Sequence, residues 1–216
     1  MSERRGYRSK APTPALERLA TYFAALSDLK RSHPETISSA DIEERTGINA
    51  AQFRKDLSYF GEFGRPGIGY ITDELQSRIA RILNIEKIQP VLLVGTGNLG
   101  SALMGYPALR VGNFQIVAAF DNNRQKIGRR LWNLTVQDIA DLTNANNDLH
   151  AKIAIITVPA ASAQDVAEQL IQAGIRTILN FAPTALRLPP DVMVRNVDFM
   201  QELAVLSFHL PDNENH

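Results

Sequence analysis

Gly95-Thr96-Gly97-Asn98-Leu99-Gly100 follows the apolar run Val91 to Val94 and precedes Ser101-Ala102-Leu103, and Asp121 stands 21 residues beyond Gly100. Between a strand and a helix, glycines at this spacing turn the chain tightly, admit a pyrophosphate to the backbone and let helix and strand pack closely. The backbone of Gly95, Thr96, Gly97, Asn98, Leu99 and Gly100, with the N–H groups that open the helix, is expected to hold phosphate charge. Asp121, at the tip of Phe114 to Phe120, is expected to accept both adenosine ribose hydroxyls. A 2′-phosphate would meet a like charge there, which favours NAD+ and NADH over their phosphorylated forms, with Arg124 and Lys126 close behind to moderate the preference. The alternative is a glycine turn with a capping aspartate and no ligand. Pro159 and Asn180-Phe181-Ala182-Pro183 follow further apolar runs, at the strand ends where ligands bind, and with Tyr106 they are expected around a nicotinamide. The prolines serve equally well as loop punctuation.

A second group points to different chemistry. Gln52, Arg54, Lys55, Ser58 and Tyr59 lie opposite Phe53, Leu57 and Phe60 on a helix expected from Ala50 to about Phe60. Arg pairs with guanine and Gln with adenine, while Lys, Ser and Tyr hold phosphates. The alternative is an ordinary solvated face. Next comes Gly61-Glu62-Phe63-Gly64-Arg65-Pro66-Gly67-Ile68-Gly69-Tyr70, rich in glycine and ending in strand-like Ile68 to Ile71. It reads as a β-hairpin, the wing of a winged helix, with Arg65 placed to enter a minor groove, or else as a linker.

These residues require two kinds of scaffold. From Pro14, Leu16, Leu19, Phe23, Leu26 and Leu29 recur at helical spacing. A short helix opens at Ser38, where Asp41 completes a capping box, and stops at Gly47; Asn49 caps the next. A further helix runs from Asp73 to Leu83. Beyond Pro90, apolar runs at Val91 to Val94, Ile116 to Phe120, Ile153 to Val158, Thr177 to Asn180 and Met193 to Val197 alternate with helical stretches. That pattern is an α/β one: a Rossmann-like doubly wound parallel sheet behind an N-terminal winged helix-turn-helix domain. The expected divisions are 1–86 for the DNA-binding domain, 87–197 for the NAD(H)-binding domain and 198–216 for a C-terminal helix and tail.

Composition narrows the function. The 216 residues are 44% hydrophobic and 21% charged, with 23 basic against 23 acidic side chains, as in ordinary globular proteins. Residues 1–66 carry 11 basic and 9 acidic side chains, too weak a bias to argue for nucleic acid, so position must carry that case. No run approaches a membrane span, and the segment with Arg4, Arg5, Arg8 and Lys10 lacks the apolar stretch of a signal peptide, so a cytoplasmic location is expected. The absence of cysteine excludes thiolate metal sites and thiol redox chemistry, and no metal is expected. A dehydrogenase needs a proton donor beside the nicotinamide. His33, His150, His209 and His216 do not fall at strand ends, Tyr-x-x-x-Lys is absent, and one amphipathic helix follows Val197. No catalytic residue is assigned, and a nucleotide that acts as a signal is expected. A small NAD-dependent oxidoreductase with a fused DNA-binding domain, or an NAD-dependent scaffold for another protein, are the other readings.

The chain resembles the Rex redox-sensing transcriptional repressors of bacteria over nearly its whole length. The matching stretches are Gln52 to Gly61 (QFRKDLSYFG), Gly64 to Tyr70, Gly95 to Leu103, Phe120-Asp121 with Lys126-Ile127-Gly128, Thr157-Val158-Pro159, Asn180 to Pro183 and Asn196 to Phe199. The resemblance implies a homodimer that represses genes of fermentative or respiratory metabolism. It implies binding to a palindromic double-stranded operator when NADH is scarce and release when NADH occupies the Rossmann domains. It further implies a helix from about Asp198 swapped into the partner subunit, and a network of Tyr106, Asp198 and Arg18 that differs between oxidised and reduced cofactor. Asn123 and Arg124 depart from the acidic and proline residues often found after the ribose aspartate.

Overall fold

The computed structural model describes residues 11–29, 35–65 and 67–210, so Arg4, Arg5, Arg8, Lys10, His33, Pro66 and His216 lie outside the described residues. The chain forms two compact units, Met1–Lys87 and Ile88–His216.

The first unit contains α1 (Thr13–Leu29), β1 (Thr36–Ile37), α2 (Ser39–Thr46), α3 (Ala50–Ser58), β2 (Tyr70–Ile71) and α4 (Thr72–Leu83). On α1 the buried face is Ala15, Leu19, Tyr22 and Leu26, turned from the leucine stripe the spacing suggests, and Leu16 is 38% exposed. Tyr22 displaces Phe23 because its ring packs edge-on against Phe53 while its hydroxyl finds a buried carboxylate. The capping box of α2 forms as expected: Ser38 Oγ accepts from Asp41 N and Asp41 accepts from Ser38 N, and Gly47 closes the helix at φ 69°. Glycine suits that left-handed position because it carries no Cβ. Asn49 accepts from Gln52 N to start α3, whose Phe53, Leu57 and Phe60 are buried as expected.

The hairpin is smaller than the glycine-rich sequence suggests. Arg65 and Gly69 exchange backbone hydrogen bonds, Ile68 is 59% exposed, and the strand shortens to Tyr70–Ile71. That strand pairs antiparallel with Thr36–Ile37, a two-residue partner the sequence does not announce.

The second unit contains β3 (Gln89–Val94), α5 (Asn98–Gly105), α6 (Ala108–Val111), β4 (Phe114–Asp121), β5 (Arg130–Leu131), β6 (Leu134–Asp138), a 3-10 turn (Ile139–Asp141), α7 (Leu142–Leu149), β7 (Ile153–Ile156), α8 (Ala160–Gln172), β8 (Thr177–Asn180), β9 (Met193–Asn196) and α9 (Phe199–Ser207). The strands lie in the order β5-β6-β4-β3-β7-β8-β9, all parallel except β5. The expected strands are present, and β5 and β6 add a hairpin and a sixth parallel strand.

Both faces of the sheet are covered, which is why its strands are apolar at successive positions. Leu92 and Val94 join Phe120, Ile156 and the α7 and α8 residues Leu142, Val166 and Leu170. Val91 and Leu93 turn the other way, to Met104 of α5, Ile116 and Ile155.

Phe53 is fully buried between Tyr22 and Tyr70, so Phe53→Ala should lower the unfolding free energy by about 3–5 kcal/mol. Urea titration followed by far-ultraviolet circular dichroism checks this. Asn49→Ala, which removes one cap bond, should cost about 1 kcal/mol in the same assay.

Candidate nucleotide cleft and nucleic-acid interface

Two glycines of the turn are required by crowding, while the third faces open space. At Gly95 the backbone has φ +98°, and a Cβ there would lie 2.6 Å from the Thr157 carbonyl oxygen. At Gly100 a Cβ would run into the Gly95 carbonyl oxygen, to which Thr157 Oγ1 donates at 2.7 Å. A Cβ on Gly97 would meet nothing within 4 Å. Gly97 is also the N-cap of α5, which has no side-chain cap bond. The start of an α-helix carries partial positive charge and unsatisfied N–H groups, so an open, uncapped turn suits an anion.

Asp121 is 6% exposed at the end of β4. Its Oδ2 accepts from Thr96 N at 2.8 Å, Thr96 Oγ1 at 2.7 Å and Lys126 Nζ at 2.9 Å, and Oδ1 accepts from Asn123 N at 3.0 Å. Burial pushes this carboxyl up, but the bonds from Thr96, Lys126 and Asn123 outweigh it and hold the group at about 2. Asp121 is therefore a carboxylate whose Oδ2 is occupied by its own chain, with Oδ1 the less engaged oxygen. Sequence reasoning saw Lys126 as a neighbouring charge and missed Thr96 as the group that ties the glycine turn to β4.

A cleft of about 560 Å³ opens at the carboxyl ends of the parallel strands, where the order turns back on either side of β3. Gly95, Gly97, Asp121, Asn122, Lys126, Thr157 and Pro159 are among its walls, and its volume is that of a small-molecule site. Tyr106, Ala182 and Pro183 do not line it. Tyr106 follows α5 and is 57% exposed, while Ala182 is buried. The loop holding Ala182 and Pro183 is built by Asn180, whose side chain accepts from Ala182 N and donates to the carbonyl of Thr184 and to Asn196 Oδ1. Asp198 caps α9 by accepting from the amides of Met200 and Gln201. The α9 residues Phe199, Met200, Leu203, Val205 and Leu206 are all more than half exposed.

In the first unit, Arg54, Lys55 and Ser58 stand exposed on α3, while Gln52 and Tyr59 are half-buried. Arg54 Nη1 donates to Ser39 Oγ at 2.7 Å, and a groove of about 490 Å³ bounded by Ser38, Ser39, Arg54, Gly64 and Arg65 runs between the helices and the hairpin. Such a groove, with a basic residue on each side, suits a phosphodiester strand. Gln52 is less free than expected, since its Nε2 donates to Asp56 Oδ1 at 2.7 Å. Arg18 likewise has a partner within its own unit, the same Asp56.

Because Asp121 sits near 2 in the fold against an ordinary 3.8, its stabilising contribution is complete above the ordinary value and is lost as pH falls through about 2. The urea midpoint of the wild-type protein should therefore drop more steeply over that acid range than that of Asp121→Asn. Parallel profiles for the two proteins would contradict this.

Residues 86–184 match the family model described as CoA binding domain, and residues 10–58 match that described as Putative DNA-binding protein N-terminus. Among curated proteins, the redox-sensing transcriptional repressor Rex of Carboxydothermus hydrogenoformans is 45% identical, with 93% of this chain and 97% of that protein covered. Rex of Chloroflexus aggregans is 42% identical over 95% of this chain and 97% of its own. Among solved structures, the Rex-family repressor RSP in complex with beta-NAD+ and operator DNA superposes with a TM-score of 0.88 at 32% identity, covering 94% of each chain. RSP in complex with beta-NADH gives 0.83 at 30% identity, covering 94% of this chain and 96% of that one. With relatives this similar over nearly its whole length, the chain belongs to the Rex family of redox-sensing transcriptional repressors.

Proposed function

We propose that this repressor takes NAD+ and NADH in the cleft at the β3–α5 turn and couples the reduced form to release of a palindromic operator held by α3 and the wing. The observation that carries the reading is the open, uncapped turn at Gly97 beside the buried, charged Asp121. Gly95, Thr96, Gly97, Asn98, Leu99 and Gly100 hold the phosphates. Asp121 holds a ribose through Oδ1, Pro159 meets the nicotinamide at the cleft wall, and Ala182, Pro183 and Tyr106, outside the cleft's lining, meet it where it extends beyond the cleft. Arg54, Lys55, Ser58, Tyr59 and Arg65 meet the duplex, with Gln52 beside them.

The working form is a homodimer in the cytoplasm. An isolated helix that exposes Phe199, Leu203 and Leu206 leaves apolar surface in water, and a partner subunit covers it. No helix among the described residues is long and apolar enough to cross a membrane.

Driving such a dimer from about 99% DNA-competent to about 1% requires NADH to prefer the released state by roughly 10⁴-fold, a load two sites share. Reduction removes the positive charge of the nicotinamide, and Tyr106, Asp198 and Arg18 are the residues that read that loss.

Titration of operator DNA at fixed total cofactor and varied NADH/NAD+ ratio tests reader, ligand and coupling together. Operator affinity should fall as the NADH fraction rises, and an affinity indifferent to that ratio would remove the sensor reading. Arg54→Ala or Lys55→Ala should weaken operator binding about tenfold or more with NADH affinity unchanged. Asp198→Asn, which keeps an N-cap, should bind NADH yet hold the operator in its presence.

A further inference from the structure

The inward face of α3 contains one charged residue among its aromatic and aliphatic neighbours. Asp56 is fully buried, next in the chain to Leu57 and one helical turn from Phe53. Its Oδ2 accepts from Arg18 Nε at 2.6 Å and from Tyr22 Oη at 2.8 Å; its Oδ1 accepts from Arg18 Nη2 at 2.7 Å and from Gln52 Nε2 at 2.7 Å. Arg18 and Tyr22 belong to α1 and Gln52 to α3, so each oxygen receives one bond from the guanidinium and one from a neutral donor. Desolvation opposes the charge here, and the bonds from Arg18, Tyr22 and Gln52 overcome it.

Asp56 is fully buried while the Arg18 side chain is 29% exposed, so desolvation falls chiefly on the carboxylate, and such a pair adds little net stability over a well-packed apolar contact because that cost offsets the attraction. What it adds is direction. Apolar burial is non-directional, whereas a bidentate guanidinium–carboxylate pair accepts one distance and one plane. With side-chain tips about 5 Å from the axis, a rotation of α3 by about 10° moves its outward groups by about 1 Å, enough to break a hydrogen bond to a base edge.

We propose that Asp56 is a positioning residue for DNA reading: gripped by Arg18 and Tyr22, it fixes the rotation of α3 on α1, and by holding Gln52 it leaves Arg54 and Lys55 as the side chains aimed at the duplex. This rests on the reading that α3 is the DNA-reading helix.

The test uses full-length protein without cofactor and a duplex recovered by the wild type from a random pool. Affinity for that duplex is compared with affinity for an unrelated one of equal length. Arg18→Lys keeps the charge and loses the planar fork, and Asp56→Asn loses the ion pair. Each should lower selected-duplex affinity about tenfold while changing unrelated-duplex affinity by less than about twofold, and the double variant should fall no further than either single one. A lowered melting temperature with the ratio of the two affinities intact would show a merely structural role and overturn the proposal. If Asp56→Asn does not fold, Tyr22→Phe takes its place and should lower the same ratio by a smaller factor; a ratio unmoved in both Arg18→Lys and Tyr22→Phe overturns it as well. A wild-type protein that prefers no duplex would instead sink the DNA-reading assignment of α3.

Discussion

Between β3 and α5 there is no room for a side chain. The Gly95 backbone passes the Thr157 carbonyl so closely that a Cβ would sit 2.6 Å from its oxygen, and Gly100 lies against the Gly95 carbonyl itself. This contact sets the depth at which α5 lies on the sheet, since Met104 can reach Val91, Leu93 and Ile155 only if the helix begins this close to the strand. It also leaves the mouth of the turn empty at Gly97, because the crowded side of the loop faces β7. The cleft is what remains when a helix is seated as near to a parallel sheet as backbone atoms permit.

Both units settle a charge in their interior, and they do it differently. Asp121 takes its ion partner Lys126 and the Asn123 amide from its own loop, and Thr96 from the glycine turn 25 positions back, which ties the end of β4 to that turn. Preorganisation follows: the carboxylate is ionised and aligned before any ligand arrives. Asp56 receives one bond from Gln52 on its own helix, but its ion partner Arg18 and the Tyr22 hydroxyl come from α1, 38 and 34 positions away in the chain. Such a bond reports on tertiary arrangement and holds only when α1 and α3 are correctly placed, which suits a helix whose task depends on orientation.

Much of the fold was legible because its signals are local. The apolar runs mark both-side-covered strands, and the capping residues Ser38, Asp41 and Asn49 act on amides three positions away. The parts that were not legible depend on distant partners. Thr36–Ile37 is a strand only because Tyr70–Ile71 lies beside it, and β6 has one fully buried residue, Val136, too few to mark a period. Asp56 offered a faint clue, an acidic residue on a helix face otherwise lined by Phe53, Leu57 and Phe60; its partners on α1 could not be named without the fold. Arg18, whose expected role came from family resemblance, gained a concrete neighbour. The strand, glycine turn and helix were legible from their order in the chain, while the engagement of Asp121 by Thr96 and Lys126 became visible only when strand ends were brought together.

The β5–β6 hairpin holds the chain's single tryptophan. Trp132 adopts φ 55°, donates its indole N–H to the Ser101 carbonyl at 3.1 Å, lays its ring against Gly105 and has Arg110 over it at 5.4 Å. The indole is therefore fastened to the flank of α5, the helix that opens at the glycine turn, and a side chain at Gly105 would collide with it. Optically, this makes the protein self-labelled: one indole, 56% exposed, rides on α5 without any dye being attached. Reduced nicotinamide absorbs where indole emits and oxidised nicotinamide does not, so a cofactor held at the glycine turn would dim Trp132 by energy transfer in its reduced form alone.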